Sequence, residues 1–142
     1  MYKQRGVTLI ELLTVILVVG ILSAIAIPSY SSYVRKARRA DAKVMLTSSA
    51  QQLERCYTRI SSYNDGTNDA GGGSCPLPLG ANSANTYTLA IAFDTTAGMP
   101  AGQSYTLTAS PLGNQLLDTH CGNYRLNQMS QKTVSTGATD CW

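Results

Sequence analysis

From Val7 to Ile27 the chain runs for 21 residues with a single formal charge, Glu11. At 1.5 Å per residue this is a helix of about 30 Å, long enough to cross a hydrocarbon core. Past Pro28 the pattern becomes amphipathic. Tyr30, Tyr33, Ala37, Ala40 and Val44 recur at helical steps, and Leu46, Ala50, Leu53, Tyr57 and Ile60 repeat those steps on a shifted face. The two runs together predict one long helix over residues 7–60, ending near Arg59–Ser61. Pro28 removes a backbone hydrogen bond, which predicts a kink or a weak point there.

Residues 61–85 read as loop. Gly71-Gly72-Gly73 is no phosphate cradle, because no strand precedes it and no Lys-Ser/Thr follows. Beyond it the period changes to two. Tyr87–Phe93, Tyr105–Ala109 and Tyr124–Asn127 place large apolar residues at alternate positions, as half-buried antiparallel strands do, with Asp94–Gln103 as the first turn and Pro111-Leu112-Gly113 in the connection that follows the second strand. The predicted core is Tyr87, Leu89, Ile91, Phe93, Tyr105, Leu107 and Leu126 against the amphipathic part of the helix. The fold class is α+β, a long N-terminal helix packed on a small antiparallel sheet.

Glu11 changes how the apolar run is understood. A lone carboxylate in a membrane-length helix costs about 2.5–3.5 kcal/mol on insertion scales, so a function must offset it. A cleaved secretory signal has a core of roughly 7–15 residues with small residues before the cut. This run is longer, so retention is expected. Lys3 and Arg5 precede it, and Arg35, Lys36, Arg38 and Arg39 follow it. Counting positive charges alone would place the second group in the cytoplasm. The cysteines oppose that orientation. Cys56, Cys75, Cys121 and Cys141 all follow the run, an even number that fits disulfides in an oxidising compartment. Their spacings of 19, 46 and 20 include no close pair, and the one histidine, His120, adjoins a cysteine, so no metal site is expected. Cys75 in the glycine-rich loop is expected to bond Cys56 on the helix, and Cys121–Cys141 to close a loop at the chain's end. No triad, paired acids or cofactor loop points to an enzyme, and no cofactor is implied.

The segment Gly6-Val7-Thr8-Leu9-Ile10-Glu11-Leu12, with Ala26-Ile27-Pro28-Ser29-Tyr30 after the apolar run, resembles the N-terminus of the type IV prepilins. Tyr105–Pro111, Asp118–Gly122 and Asp140-Cys141-Trp142 resemble the PilE-type minor pilins of type IVa systems. The resemblance implies a pilin fold with a disulfide-closed C-terminal loop. It divides the chain into a leader at 1–6, a membrane and assembly half-helix at 7–28 and a periplasmic head at 29–142.

It also implies roles for single residues. A membrane-embedded prepilin peptidase would cut between Gly6 and Val7 and methylate the new amino group on Val7, where the family usually carries phenylalanine. That cationic amine would neutralise Glu11 in the filament core, since a paired buried charge is tolerable and an unpaired one is not. Gly20 and Pro28 would bracket a stretch that loosens on assembly. The implied product is a minor pilin that primes and joins a filament serving twitching, adhesion or DNA uptake. Its partners would be other pilins, the peptidase and an inner-membrane assembly platform, and it would reside in the inner membrane of a Gram-negative bacterium before export into the extracellular pilus. A major pilin, a type II secretion pseudopilin and a DNA-binding competence pilin are the alternatives. Net charge is +3, and removing Lys3 and Arg5 leaves nine basic against eight acidic residues. So nearly neutral a chain does not favour DNA as a partner. The cluster Arg35–Arg39 is expected at lipid head groups or on acidic residues of neighbouring subunits.

Overall fold

The computed structural model describes residues 6–64, 79–82, 84–93 and 102–142. Among the described residues one helix, α1 (Leu9–Ile60, 52 residues), precedes five short strands and a single 3-10 turn. The helix runs unbroken through Gly20 and Pro28, so the expected break is not a feature of the single subunit. It stops at Ser61, which takes the left-handed conformation (φ 54°) common just past a helix C-terminus, while its N–H still donates to the Tyr57 carbonyl at 2.8 Å. The chain divides into two compact units, Met1–Val34 and Arg35–Trp142.

In the first unit the apolar side chains of α1 have no protein to pack on, and the helix is long and apolar enough to cross a membrane. In the second unit a five-stranded antiparallel sheet lies in sequence order: β1 (Gly80–Ala81), β2 (Tyr87–Ala92), β3 (Thr106–Pro111), β4 (Tyr124–Asn127) and β5 (Lys132–Val134). β2, β3 and β4 match the three predicted strands. β1 and β5 were not legible, because two or three residues are too few to display an alternation. Pro111, expected in a connection, instead ends β3 opposite Tyr87, a position where its missing N–H costs little. The expected turn Asp94–Gln103 lies mostly outside the described residues.

Tyr87, Leu89, Tyr105, Leu107 and Leu126 are buried as predicted, while Ile91 and Phe93 are only partly buried at the margin. Tyr124 and Ala109 join them, facing the helix by the same alternation. The helix contributes the second predicted stripe, shifted toward one side: Leu46 and Leu53 are buried, Ala50 and Tyr57 pack at the core's margin, and Ile60 is exposed. Ala42, Leu46, Ser49, Leu53 and Cys56 are the buried positions, again at steps of four and three. The first predicted stripe is exposed, with Tyr30, Tyr33 and Val44 each about 70% accessible. Periodicity identifies a helix and its apolar faces, but two such faces existed and only the sheet selects one. Three tyrosines then pack ring on ring, Tyr57 stacked on Tyr63 (4.6 Å) and Tyr63 edge-on to Tyr105 (4.8 Å).

Candidate functional site

The segment before α1 is extended and exposed. Gly6 and Val7 lie outside the helix, and a Cβ built on Gly6 would meet nothing within 4 Å. Packing in the subunit therefore does not demand glycine there. Thr8 is the N-cap, and Glu11 sits at the third helical position. The Thr8 N–H and hydroxyl both donate to Glu11 Oε2 at 2.8 Å, while the Glu11 N–H donates to Thr8 Oγ1 at 3.3 Å. This is a capping box, which satisfies two otherwise orphaned helix donors. Thr-x-x-Glu ahead of an apolar run was the sequence signal for it. The structure does not bring Glu11 to Val7, whose nitrogen is still a peptide amide bonded to Gly6. The carboxylate is held by Thr8.

The basic cluster does not form one patch. Arg39 turns into the head, where its Nε and Nη2 donate to the two carboxylate oxygens of Asp118, each at 2.8 Å. The hydrogen bond to Asp118, partly opposed by burial, raises the pKa of Arg39. Around the pair, the Gln115 amide lies 3.0 Å from the Arg35 carbonyl, 3.0 Å from the Tyr87 hydroxyl and 3.2 Å from Asp118. This polar lock ties the 3-10 turn (Gly113–Leu117) to α1. Burial pushes the Tyr87 and Tyr124 phenols up to about 12.

A second tie lies at the chain's end. Cys121 and Cys141 form a disulfide with Cα atoms 5.8 Å apart, both residues buried. The residue before each cysteine adds a parallel contact, His120 Nε2 to Asp140 at 2.8 Å. Trp142 finishes the region, its indole N–H donating to the Thr133 carbonyl at 3.0 Å, its ring edge-on to Tyr124 and under the Lys132 ammonium. His120, Cys121 and Cys141 have donor atoms within 4.8 Å of one another, but both sulfurs are committed to the disulfide and supply no thiolate for a metal. Cys56 is buried, and among the described residues no cysteine is free. Its expected partner, Cys75, lies outside them.

Each described acid after the apolar run has an internal partner: Asp41 the Thr86 hydroxyl, Glu54 those of Tyr63 and Tyr105, Asp118 Arg39, and Asp140 His120. Arg35, Lys36, Arg38, Lys43 and Arg125 form no ion pair among the described residues.

Against this geometry, a family model described as type IV minor pilin ComP, DNA uptake sequence receptor, matches residues 28–125, and one described as the prokaryotic N-terminal methylation motif matches residues 1–27. The chain is similar to prepilin peptidase-dependent protein D of Escherichia coli K12, with 41% identity over 78 residues, covering 55% of this chain and 52% of that protein. It is similar to the type IV major pilin PilE1 of Neisseria gonorrhoeae, with 34% identity over 76 residues, covering 54% and 46%. The chain thus spans about half the length of these curated relatives. A solved type IV pilin from Shewanella oneidensis superposes with a TM-score of 0.50 at 28% identity, covering 76% of this chain and 97% of that one.

Proposed function

The chain belongs to the family of type IV minor pilins described as ComP, and from that premise we propose that it is a minor structural subunit of a type IV pilus, without catalytic activity of its own. One observation carries the reading: an apolar helix exposed on every side, holding one carboxylate at Glu11 and preceded by an exposed, non-helical Gly6–Val7 bond. Such a helix needs lipid first and neighbouring helices afterwards. The prepilin peptidase cuts after Gly6 and methylates Val7. The freed amine then competes with Thr8 for Glu11, and the resulting pair lets the acid enter a filament core at low cost. Gly20 and Pro28 supply a stretch of low helix propensity for loosening on assembly. The head stays in the periplasm of a Gram-negative cell until an inner-membrane platform adds the subunit to the filament, where it joins a priming complex to the shaft. The exposed stripe of Tyr30, Tyr33 and Val44 suits contact with other pilins. The Cys56–Cys75 bond belongs to the same proposal, and peptide mapping that joined Cys56 to Cys121 or Cys141 would refute it.

The test is Glu11→Ala, which should insert and lose its leader normally yet be scarce in sheared pili. Wild-type incorporation would end the pairing account. A major pilin would dominate the mass spectrum of those pili, and a pseudopilin would be needed for enzyme secretion.

A second reading, as a DNA receptor on the pilus, is favoured by the family match over 28–125. The near-neutral charge count does not favour DNA, but Arg35, Lys36, Arg38, Lys43 and Arg125 form no ion pair among the described residues and leave cations for a partner. Binding of duplex DNA by the full chain in detergent, weakening steeply with salt, is its test.

A further inference from the structure

Once α1 is taken up by neighbouring subunits, a large ligand must approach the head from the side opposite the helix. That side is the outer face of the sheet. Tyr87, Leu89, Leu107, Ala109, Tyr124 and Leu126 point to the core, so their strand neighbours point away. The register sets Ala90, Thr108, Arg125 and Thr133 in one row across β2, β3, β4 and β5, with Thr88 opposite Ser110 beside it. At about 4.8 Å between strands, the row spans about 14 Å. These positions carry one cation, four hydroxyls and no acid. Soluble surfaces ordinarily mix charges of both signs. The Arg125 guanidinium and the hydroxyls of Thr88, Thr108, Ser110 and Thr133 have no hydrogen-bonded partner among the described residues, so all can donate outward.

We infer that this face, centred on Arg125, docks the sugar–phosphate backbone of duplex DNA. It rests on the DNA-receptor reading and adds where the strand lies. Phosphate oxygens accept from both kinds of donor present, guanidinium and threonine or serine hydroxyl. Thr88 on β2 and Thr133 on β5 flank Arg125 across a width comparable with the roughly 12 Å major groove, so these donors can serve phosphates on either side of the groove. Contacts of this kind fix position and orientation without reading bases, so this face binds all sequences alike.

The experiment uses the full chain in detergent micelles and a short mixed-sequence duplex, with affinity measured by fluorescence anisotropy between about 50 and 200 mM salt. Arg125→Ala removes one phosphate contact. It should weaken binding roughly tenfold at the lowest salt and reduce the log–log salt slope by about 0.9. Thr108→Val with Thr133→Val keeps the branched shape and the charge, so it should lower affinity a few-fold at an unchanged slope. If the wild type binds while Arg125→Ala leaves slope and affinity untouched, this face is refuted and the DNA reading survives. The face is equally refuted if Arg35→Ala, Lys36→Ala and Arg38→Ala together abolish the slope. If the wild type fails to bind at about 50 mM salt, the DNA reading falls and the inference with it.

Discussion

The two halves of α1 both present large apolar side chains, and these meet opposite fates. Between Leu9 and Ile27, thirteen large apolar side chains are 50–83% exposed. At about 1.5–3 kcal/mol each, roughly 20–40 kcal/mol of burial is left unclaimed there. Past Arg35 the same helix buries Ala42, Leu46, Leu53 and Cys56 completely, and its Arg39 and Asp41 find partners inside the head. The first half is a surface waiting for a solvent other than water, and the second is a finished core. The contrast separates what this molecule needs for stability from what it needs for assembly.

The hardest way to break the contrast is to strand a charge in the finished half. Asp118→Ala leaves Arg39 half-buried and unpaired, and should cost about 3–5 kcal/mol in urea unfolding of the head. A loss below about 1 kcal/mol would mean that the pair is solvated. Next comes a matched pair of truncations. Leu53→Ala should cost about 2–5 kcal/mol, whereas Val18→Ala should leave head stability within about 0.5 kcal/mol and appear only in pilus yield. Equal effects would erase the division. Gly20→Ala is smaller, about 1 kcal/mol in favour of the helix, because a Cβ there meets nothing within 4 Å in the subunit. Slower amide exchange around residue 20 with fewer subunits in pili would support loosening on assembly, and unchanged incorporation would count against it.

The pH dependence comes last, and it acts on the finished half alone. Burial first, then the Glu54 carboxylate, pushes the Tyr63 phenol up to about 12, and burial does the same to Tyr87 and Tyr124. A pKa raised by folding gives stability that is whole below the unfolded value near 10 and lost as pH climbs toward 12. The head should therefore melt progressively earlier over that range. Asp140 works in the opposite direction. Its hydrogen bond to His120 holds it below 3.8, so its contribution is present above that value and fades as pH falls further. Asp140 is fully exposed, so Asp140→Asn should flatten the acid limb only slightly.

Much of this was readable in the chain. The helix bounds, the three longer strands and five of the seven proposed core residues on the sheet follow from period and turn chemistry. Glu11 announced itself by its cost. Its partner Thr8 was also readable, as a capping box, but attention to the membrane hid a local hydrogen bond. Arg39 was not separable from Arg35, Lys36 and Arg38, because four cations in five positions look alike until a distant carboxylate selects one. Gln115 gave no signal, since a lone amide in a turn is ordinary until the fold buries it.

Local and periodic properties were thus determined by the sequence itself: a membrane-length helix, an amphipathic continuation, alternating strands, a processing motif at Gly6–Glu11 and an even set of cysteines. Each depends on neighbours a few residues apart, and such neighbours are fixed by covalent geometry. The tertiary structure decided which helical face is buried, which arginine is paired, that the described acids of the head have internal partners, and that Arg125 stands in a cross-strand row with Thr108 and Thr133. Those depend on residues as far apart as Arg39 and Asp118, which no period connects and which only packing brings to 2.8 Å.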